Sequence, residues 1–458
     1  MFPPPQPDLT ANTADYENVP LIKPTGFREY DARWLFGEEI NLTGVQLLGF
    51  GLGTLLHELL DETPPQLIVG HDYRAYSQSV KLALINGLMS AGAQVHDIGL
   101  ALSPMAYFAQ FEAALPGVAM VTASHNENGW MGVKMGAARP LTFGPEEMQR
   151  LKKITLNSGG KARDGGSYKR RDDMAARYKA DLTNRAGFKR GLKAVVACGN
   201  GTAGIFAPEV LRTLGVEVVE LYCQPDFTFP HHNPNPEDMA MLHALGAAVL
   251  EHKADIGFAF DGDGDRCGVV DNRGQEIFAD KMGVLVARDL SRQHKKAVFV
   301  ADVKSTGLFM NDPVLQQNGA VTHYWKTGHS YMKRQTHELG ALAGFEKSGH
   351  FFFNTPIGRG YDDGLLSAIA ICDMLDRADG ATMADLYQSL PVTYSSPTMA
   401  PHCPDTKKYA VIESVIAHFE NLFKTDAPLL GQKIENLVTV NGVRITLADG
   451  TWGLVRAS

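Results

Sequence analysis

Two loops far apart in the chain carry residue types that could do chemistry together. Ser124, His125 and Asn126 close a T-A-S-H-N run, and Lys134 follows ten residues after Ser124. Asp261, Asp263 and Asp265 alternate with glycines in D-G-D-G-D-R, which ends on Arg266. Phosphoryl transfer needs an oxygen nucleophile, cations to neutralise the phosphoryl oxygens, and in-line geometry. The first loop offers the hydroxyl, with His125 and Lys134 as sources of charge and proton traffic and Asn126 as a neutral donor. Three carboxylates within five residues repel one another unless a cation or strong donors compensate. Oxygen-only ligands select a hard cation such as Mg2+, and the glycines let the backbone fold tightly round it. Together the loops suggest a serine that carries a phosphoryl group beside a divalent cation, working on phosphorylated small molecules.

Each fragment also has a plainer interpretation. S-H-N can be a polar turn, and the acidic run can be a solvated turn or a calcium-binding EF-hand loop. The EF-hand fails: Arg266 stands where glycine is required, Asn272 where glutamate is required, and a strand precedes instead of a helix. W-K-T-G-H-S brings Lys326, His329 and Ser330, and F-E-K-S-G-H brings Glu346, Ser348 and His350. A carboxylate and a hydroxyl two apart on an extended loop point the same way, which suits vicinal sugar hydroxyls. F-R-E-Y-D-A-R places Arg28, Tyr30 and Arg33 near the start of the fold as anion contacts, although paired arginines are more often a solvated face.

The elements that must position these residues are short apolar strands alternating with helices. Strands are predicted at 66–70, 94–99 and 118–122, the last ending directly at the Ser124 loop, with a helix at 77–91. A Gly-rich, charged stretch at 157–166 reads as a domain boundary. A second round follows: a strand at 193–198, a helix to about 214, a strand at 216–221, a helix at 238–252, and a strand at 255–260 that delivers the acidic loop. A third has strands at 297–301 and 321–325, a helix at 305–317, and helices starting near 330 and 362. After Pro391 a helix at 408–424 and strands at 438–440 and 442–447 suggest a smaller α+β unit. The fold class is therefore α/β, with three similar α/β domains of mixed sheets sandwiched by helices and a smaller C-terminal α+β domain. The predicted divisions are a disordered N-terminal arm at 1–22, then domains at 23–165, 166–275, 276–390 and 391–458.

Bulk properties narrow the class. At 458 residues the chain exceeds one hydrophobic core, and about three or four domains are expected. A net charge of -8 argues against nonspecific nucleic-acid binding. The five cysteines are scattered with no C-x-x-C pair, which fits reduced thiols and a cytoplasmic protein. The N-terminus does not read as a signal peptide. The apolar run near 45–60 contains His57 and Glu58 and is too short to span a bilayer, so it reads as an amphipathic core helix and no membrane partner is expected.

Taken in order, F-R-E-Y-D-A-R, T-A-S-H-N, D-G-D-G-D-R, F-E-K-S-G-H and the terminal G-L-V-R-A-S resemble the α-D-phosphohexomutase superfamily, most of all its bacterial phosphomannomutase/phosphoglucomutase group. The resemblance runs from about Pro24 to the last residue and implies four domains round a central cleft. It implies that Ser124 carries phosphate and that its phosphoryl oxygen joins Asp261, Asp263 and Asp265 on Mg2+. Glu346 and Ser348 resemble the sugar-hydroxyl readers, and Lys304, His329 and Arg266 match substrate contacts. Tyr30, Arg33, Lys134 and His350 match positions tied to phosphate contact or proton transfer. Arg456 and Ser458 fall in the distal phosphate-binding loop, which in the family continues R-x-S-N/G-T and is incomplete at residue 458. The family has Arg-Gly after Tyr-Asp-x, whereas Trp34 follows Arg33 here.

The implied reaction interconverts hexose 1-phosphate and hexose 6-phosphate, of mannose or glucose, through a phosphoserine enzyme and a hexose 1,6-bisphosphate, which also serves as activator. Phosphorylated hexoses are the expected partners, and a monomer or weak dimer the expected state. A phosphoglucosamine mutase, a phosphosugar-binding protein with little turnover, and an aspartyl-phosphate hydrolase using Asp261 are the alternatives.

Overall fold

The computed structural model describes residues 6, 8–60, 63–396, 399, 401–404 and 407–457. The chain divides into two compact units, Met1–Glu276 with Tyr361–Gly380, and Ile277–Gly360 with Ala381–Ser458.

The first unit holds two sheets. One comprises β1 (Ala32–Leu35), β2 (Gln66–His71), β3 (Gln94–Leu100), β4 (Gly117–Val121), β5 (Trp130–Gly136) and β6 (Ser167–Arg170), in the order β1-β5-β4-β2-β3-β6. β4, β2, β3 and β6 are parallel, while β5 runs antiparallel to β4 and β1. Alternate residues Leu67, Val69, Val95, Ala119 and Val121 join the core with helices Leu42–Leu59 and Ser77–Ser90. Helix Ser103–Glu112 packs on β2 and β4.

The run near 45–60 is indeed a helix, but residues 44, 45 and 47–56 are buried, so it is a core helix and not a half-exposed one. Two glycines explain how it fits. A Cβ on Gly49 would meet the Leu84 carbonyl oxygen at 2.2 Å, and one on Gly87 the Gln46 carbonyl oxygen at 2.0 Å, so the two helices touch backbone to backbone. Among the described residues no helix is long and apolar enough to cross a membrane.

The second sheet comprises β7 (Lys193–Ala197), β8 (Glu217–Leu221), β9 (Ile256–Phe260), β10 (Cys267–Asp271) and β11 (Glu276–Ile277), ordered β11-β10-β9-β7-β8. β8, β7 and β9 are parallel and β10 turns back antiparallel to β9. Helix Gly364–Asp376 returns to this unit and packs against β10.

That helix begins at a buried carboxyl. Asp363 caps it, accepting from the Leu366 N–H at 3.0 Å and from the Tyr178 O–H at 2.9 Å, and burial raises its pKa to about 7. A folded-state pKa above the unfolded one means that this group's stabilisation is complete below about pH 4 and is lost as pH rises through about 7. Asp363→Asn imitates the protonated carboxyl at every pH. Its melting temperature should therefore overtake that of the wild type between those limits, by the equivalent of a few kcal/mol at pH 8. A constant difference from pH 4 to 8 would refute this.

The second unit also holds two sheets. β12 (Val298–Asp302), β13 (Val321–Trp325), β14 (Ala343–Phe345) and β15 (Phe351–Phe353) are ordered β13-β12-β14-β15, the first three parallel and β15 antiparallel. β16 (Ile434–Val438), β17 (Val443–Leu447) and β18 (Trp452–Val455) form an antiparallel sheet. Helix Lys408–Lys424 covers it with Val415, Ile416, Phe419 and Leu422. Three helix-flanked mixed sheets and one small α+β unit match the expected fold class.

Local differences have physical causes. The predicted helix at 305–317 is two short helices, Leu308–Asn311 and Pro313–Gln317. Pro313 cannot continue a helix, and Asp312 caps the second one by accepting from Val314 N–H at 3.0 Å. The Gly-rich stretch at 157–166 lies within the first sheet's own chain path, because β6 adds beside β3 after it. Composition alone does not separate a linker between domains from one between strands. Within the proline-rich arm, residues 1–5 and 7 lie outside the described residues, but Ala14–Asn18 is a helix and Leu21 and Ile22 are buried. Asn41 holds that segment by donating to the Tyr16 and Val19 carbonyls, a tertiary anchor that local polarity does not reveal. In the terminal unit the first strand starts earlier than predicted, at Ile434, and β18 was not anticipated.

Candidate active site

Parallel strands present their carboxyl ends to ligands, and the predicted residues of the first unit gather at such ends. Ser124 follows β4 and is 1 % exposed, with φ 53. A left-handed conformation is costly for a residue with a side chain, so the surrounding bonds must hold it. Arg74, from the loop after β2, donates to the carbonyls of Ser124 (3.0 Å), Asn126 (2.7 Å) and Glu127 (3.1 Å). Asp72 binds the Arg74 Nε at 3.2 Å and accepts from the Thr122 hydroxyl at 2.8 Å. Arg33 donates to the Ala123 carbonyl at 3.0 Å and the Asn126 side chain at 3.1 Å, and pairs with Asp31 at 2.9 Å. Asn233 donates to the His125 carbonyl. The loop is thus clamped by two arginines and an asparagine, with Ser124 Oγ directed at Asp261.

The acidic loop joins β9 to β10. Ser124 Oγ lies 3.0 Å from Asp261 Oδ2 and 3.3 Å from His125 Nδ1. Lys134, on β5 opposite Met120, is fully buried; its Nζ reaches Asp263 Oδ2 at 2.7 Å and also Asp265 Oδ2. Ser103, at the start of helix Ser103–Glu112, donates to Asp263 Oδ2 at 2.6 Å. Arg266 lies 3.7 Å from Asp261 and pairs with Glu237 at 3.2 Å. The start of helix Gly364–Asp376 buttresses the loop through Gly364 N–H to the Gly264 carbonyl, 3.0 Å.

Charge in this cluster is unbalanced. All three aspartates are 0 % exposed and offer ligand atoms within 4.8 Å of one another. Against them stand Lys134 and Arg266, so one negative charge has no counter-charge when all three aspartates are ionised. Burial, with the charges of Asp265 and Asp263, pushes Asp261 well above the carboxylate range. Burial opposes the ionised Asp263 too, as does Asp265, but Lys134 overrides both and holds it below its ordinary value. Asp263 Oδ1 is buried without a hydrogen-bond partner among the described residues. An oxygen-only cluster with surplus negative charge and an unmatched carboxylate oxygen fits a hard divalent cation.

Glycine lets the two loops meet. A Cβ on Gly262 would sit 2.5 Å from the Ser124 carbonyl oxygen. Gly262→Ala must therefore push the loops apart by a few tenths of an ångström or more. We expect kcat to fall about a hundredfold, since sub-ångström misplacement of reacting groups has effects of that order. Unfolding measured in denaturant should show only about 1–3 kcal/mol lost. An unimpaired enzyme would mean that the Ser124–Asp261 spacing does not matter.

The second unit gathers its own cluster at the carboxyl ends of β12, β13 and β14. Lys304 follows β12 and is partly exposed. His329 opens helix His329–Glu338 after β13 and is 5 % exposed. Glu346 follows β14, accepting from the Gly328 N–H at 2.5 Å. The expected extended loop is instead a tight turn: Gly349 N–H donates to the Glu346 carbonyl at 3.0 Å, with Gly349 at φ 97. Glu346 and Ser348 still converge, through a shared histidine. Glu346 Oε2 lies 3.0 Å and Ser348 Oγ 2.9 Å from His350 Nδ1. Buried Asp302 ties these loops together, accepting from Thr327 Oγ1 at 3.0 Å and Lys347 N–H at 3.3 Å. Burial and the Glu346 charge raise its pKa to about 6.

Tyr30 is half-buried at the loop before β1. Arg456 donates to the Asn441 side chain at 2.8 Å, and Ser458 lies outside the described residues. Asp72, Arg74, Ser103, Asn233 and Asp302 were not singled out from the sequence. The D-Y-R at 72–74, directly after a predicted strand, was the one usable signal among them.

Comparison with known proteins agrees with the fold. Models of the phosphoglucomutase/phosphomannomutase alpha/beta/alpha domains I, II and III match residues 24–160, 175–274 and 278–394. The chain is 34 % identical over 440 residues to a phosphomannomutase/phosphoglucomutase of Pseudomonas syringae pv. tomato, covering 96 % of this chain and 90 % of that one. It is 31 % identical over 433 residues to a phosphoglucomutase of Neisseria meningitidis serogroup A, covering 94 % and 90 %. A crystal structure of a phosphoglucomutase/phosphomannomutase family protein from Burkholderia thailandensis superposes with a TM-score of 0.83 at 30 % identity, covering 95 % of this chain and 91 % of that one.

Proposed function

The chain belongs to the phosphoglucomutase/phosphomannomutase family, and from that membership we propose that it interconverts hexose 1-phosphates and hexose 6-phosphates of glucose or mannose through a phosphorylated Ser124. The observation that carries this reading is Ser124 Oγ, 3.0 Å from Asp261 at the edge of a buried three-carboxylate cluster.

In the proposed cycle the phosphoserine P–O bond breaks and a P–O bond forms to the free hydroxyl of a hexose 1-phosphate. That hydroxyl's proton passes to a neighbouring base, for which His125 Nδ1 lies 3.3 Å from Ser124 Oγ, while Lys134, paired with Asp263 and Asp265, supplies positive charge. The hexose 1,6-bisphosphate turns end over end and returns its other phosphoryl group to Ser124 Oγ. Asp261, Asp263 and Asp265 would hold Mg2+, which when bound supplies positive charge to the transferring phosphoryl oxygens. Phosphorylation adds about two negative charges beside a cluster already in surplus, which is why a divalent cation is needed here. Arg33, Arg74 and Asp72 keep the loop in its left-handed turn, so that little reorganisation is needed at the moment of transfer.

Glu346 and Ser348 supply acceptor and donor for sugar hydroxyls, with His350 holding both side chains. Lys304, His329, Arg266 and Tyr30 contribute substrate contacts and Arg456 a distal phosphate contact. Added hexose 1,6-bisphosphate would act as activator by phosphorylating Ser124.

The test is conversion of glucose 1-phosphate and mannose 1-phosphate to their 6-phosphates with Mg2+ and catalytic hexose 1,6-bisphosphate. Turnover of either sugar is expected. Binding of both phosphates by calorimetry without turnover would replace this reading with a phosphosugar-binding protein.

A further inference from the structure

The second unit contains an arginine whose environment is unusual for a purely structural group. Arg444, on β17, is 1 % exposed. Its guanidinium lies between two aromatic rings, 4.0 Å from the Tyr324 centroid and 3.7 Å from the Trp452 centroid. Nη1 donates to the carbonyls of Val303 and Ser305, both at 2.7 Å. Those two residues flank Lys304. Tyr324 extends the grip by donating its hydroxyl proton to the Thr306 carbonyl at 2.6 Å. On the other side, Ser305 Oγ donates to Asp302, the residue that also ties down Thr327 and Lys347.

We infer that Arg444 is a positioning residue for Lys304: it reaches across from the terminal sheet and fixes the loop that presents the lysine to substrate. Burying a charged group is costly, and well-packed apolar residues in such places are often neutral or stabilising. Stability alone therefore does not account for an arginine here. The guanidinium offers two protons on one nitrogen, in a plane set by the flanking rings, to carbonyls on either side of one residue. A lysine ammonium has neither the planar fork nor the stacking faces. The terminal sheet thereby acts on the Lys304 loop without touching substrate.

This inference rests on the proposed contact between Lys304 and substrate, and the experiment separates the two. Arg444→Met, Trp452→Leu, Lys304→Ala and the Arg444→Met/Lys304→Ala pair are compared by KM, kcat, melting temperature and amide hydrogen exchange. Arg444→Met should raise KM about tenfold with a smaller change in kcat, on the scale of one lost charge-assisted contact. Its amides at 303–306 should exchange about tenfold faster. The pair should be no worse in KM than Lys304→Ala alone, because both changes remove one function. Trp452→Leu removes one face of the sandwich but leaves the carbonyl bonds possible, so it should lower the melting temperature with little change in KM.

Additive KM effects in the pair, or KM changes that track melting temperature across Arg444→Met and Trp452→Leu, would reduce Arg444 to a structural residue. So would unchanged exchange at 303–306. A wild-type KM for Lys304→Ala would instead remove Lys304 from substrate binding, and the inference with it.

Discussion

Replacing Ser124 with alanine or glycine should lower hexose phosphate interconversion by on the order of 10⁴-fold or more, the scale seen when a covalent nucleophile is removed. The two variants separate chemistry from folding. Ser124 holds φ 53, a conformation that glycine adopts freely and that costs other residues roughly 1–2 kcal/mol. Ser124→Gly should therefore be at least as stable as Ser124→Ala by thermal denaturation, yet equally inactive. Arg74, held by Asp72, and Arg33 grip the backbone around position 124, so neither change should unfold the loop. Appreciable activity in Ser124→Gly would mean that the phosphoryl group is carried elsewhere, with Asp261 the nearest oxygen nucleophile.

The second large effect concerns the cation. Removing divalent metal with EDTA should cut kcat by about a thousandfold, and restoring Mg2+ should recover it, because the charge a metal supplies is worth several kcal/mol. Asp261→Asn should show the same loss and resist rescue. Its effect on stability should have the opposite sign. Asp261 lies beside two other buried carboxylates, while Lys134 binds Asp263 and Asp265. Neutralising Asp261 relieves repulsion without breaking a lysine pair. In EDTA, Asp261→Asn should melt higher than the wild type, by the equivalent of about 1–2 kcal/mol. With Mg2+ the wild type should gain and the variant should not. A wild type whose melting temperature ignores Mg2+ would mean that the cluster is satisfied without a cation.

Much of this was legible in the sequence because strands and motifs adjoin. The run ending at Val121 and the run ending at Phe260 are each apolar, short and followed at once by a chemically loaded loop. That placement alone put Ser124 and the aspartates at strand ends. Their 3.0 Å approach was not legible, since it depends on Gly262 lacking a side chain and on a β5 register that brings Lys134 beneath both aspartates. Arg74 and Asp72 escaped notice for a related reason: Arg74 donates to the backbone carbonyls of a loop 50 residues away and Asp72 acts by holding Arg74, and carbonyl contacts leave no mark in side-chain pattern. Arg444 is hidden in the same way. Glu346 and Ser348 converge for a reason other than the one expected, because their shared contact with His350 comes from a turn and not from strand alternation. The helix break at Asp312 could have been foreseen from Pro313, whereas the ordered part of the N-terminal segment depends on Asn41, which only tertiary structure brings near.

The most direct test of the central claim is to locate the phosphate. The protein is incubated with hexose 1,6-bisphosphate and Mg2+, digested, and mapped by mass spectrometry before and after a chase with hexose 6-phosphate. Phosphate should appear on Ser124 and leave it for the sugar during the chase. Phosphate on Asp261, or brisk turnover with Ser124 never modified, would contradict the account.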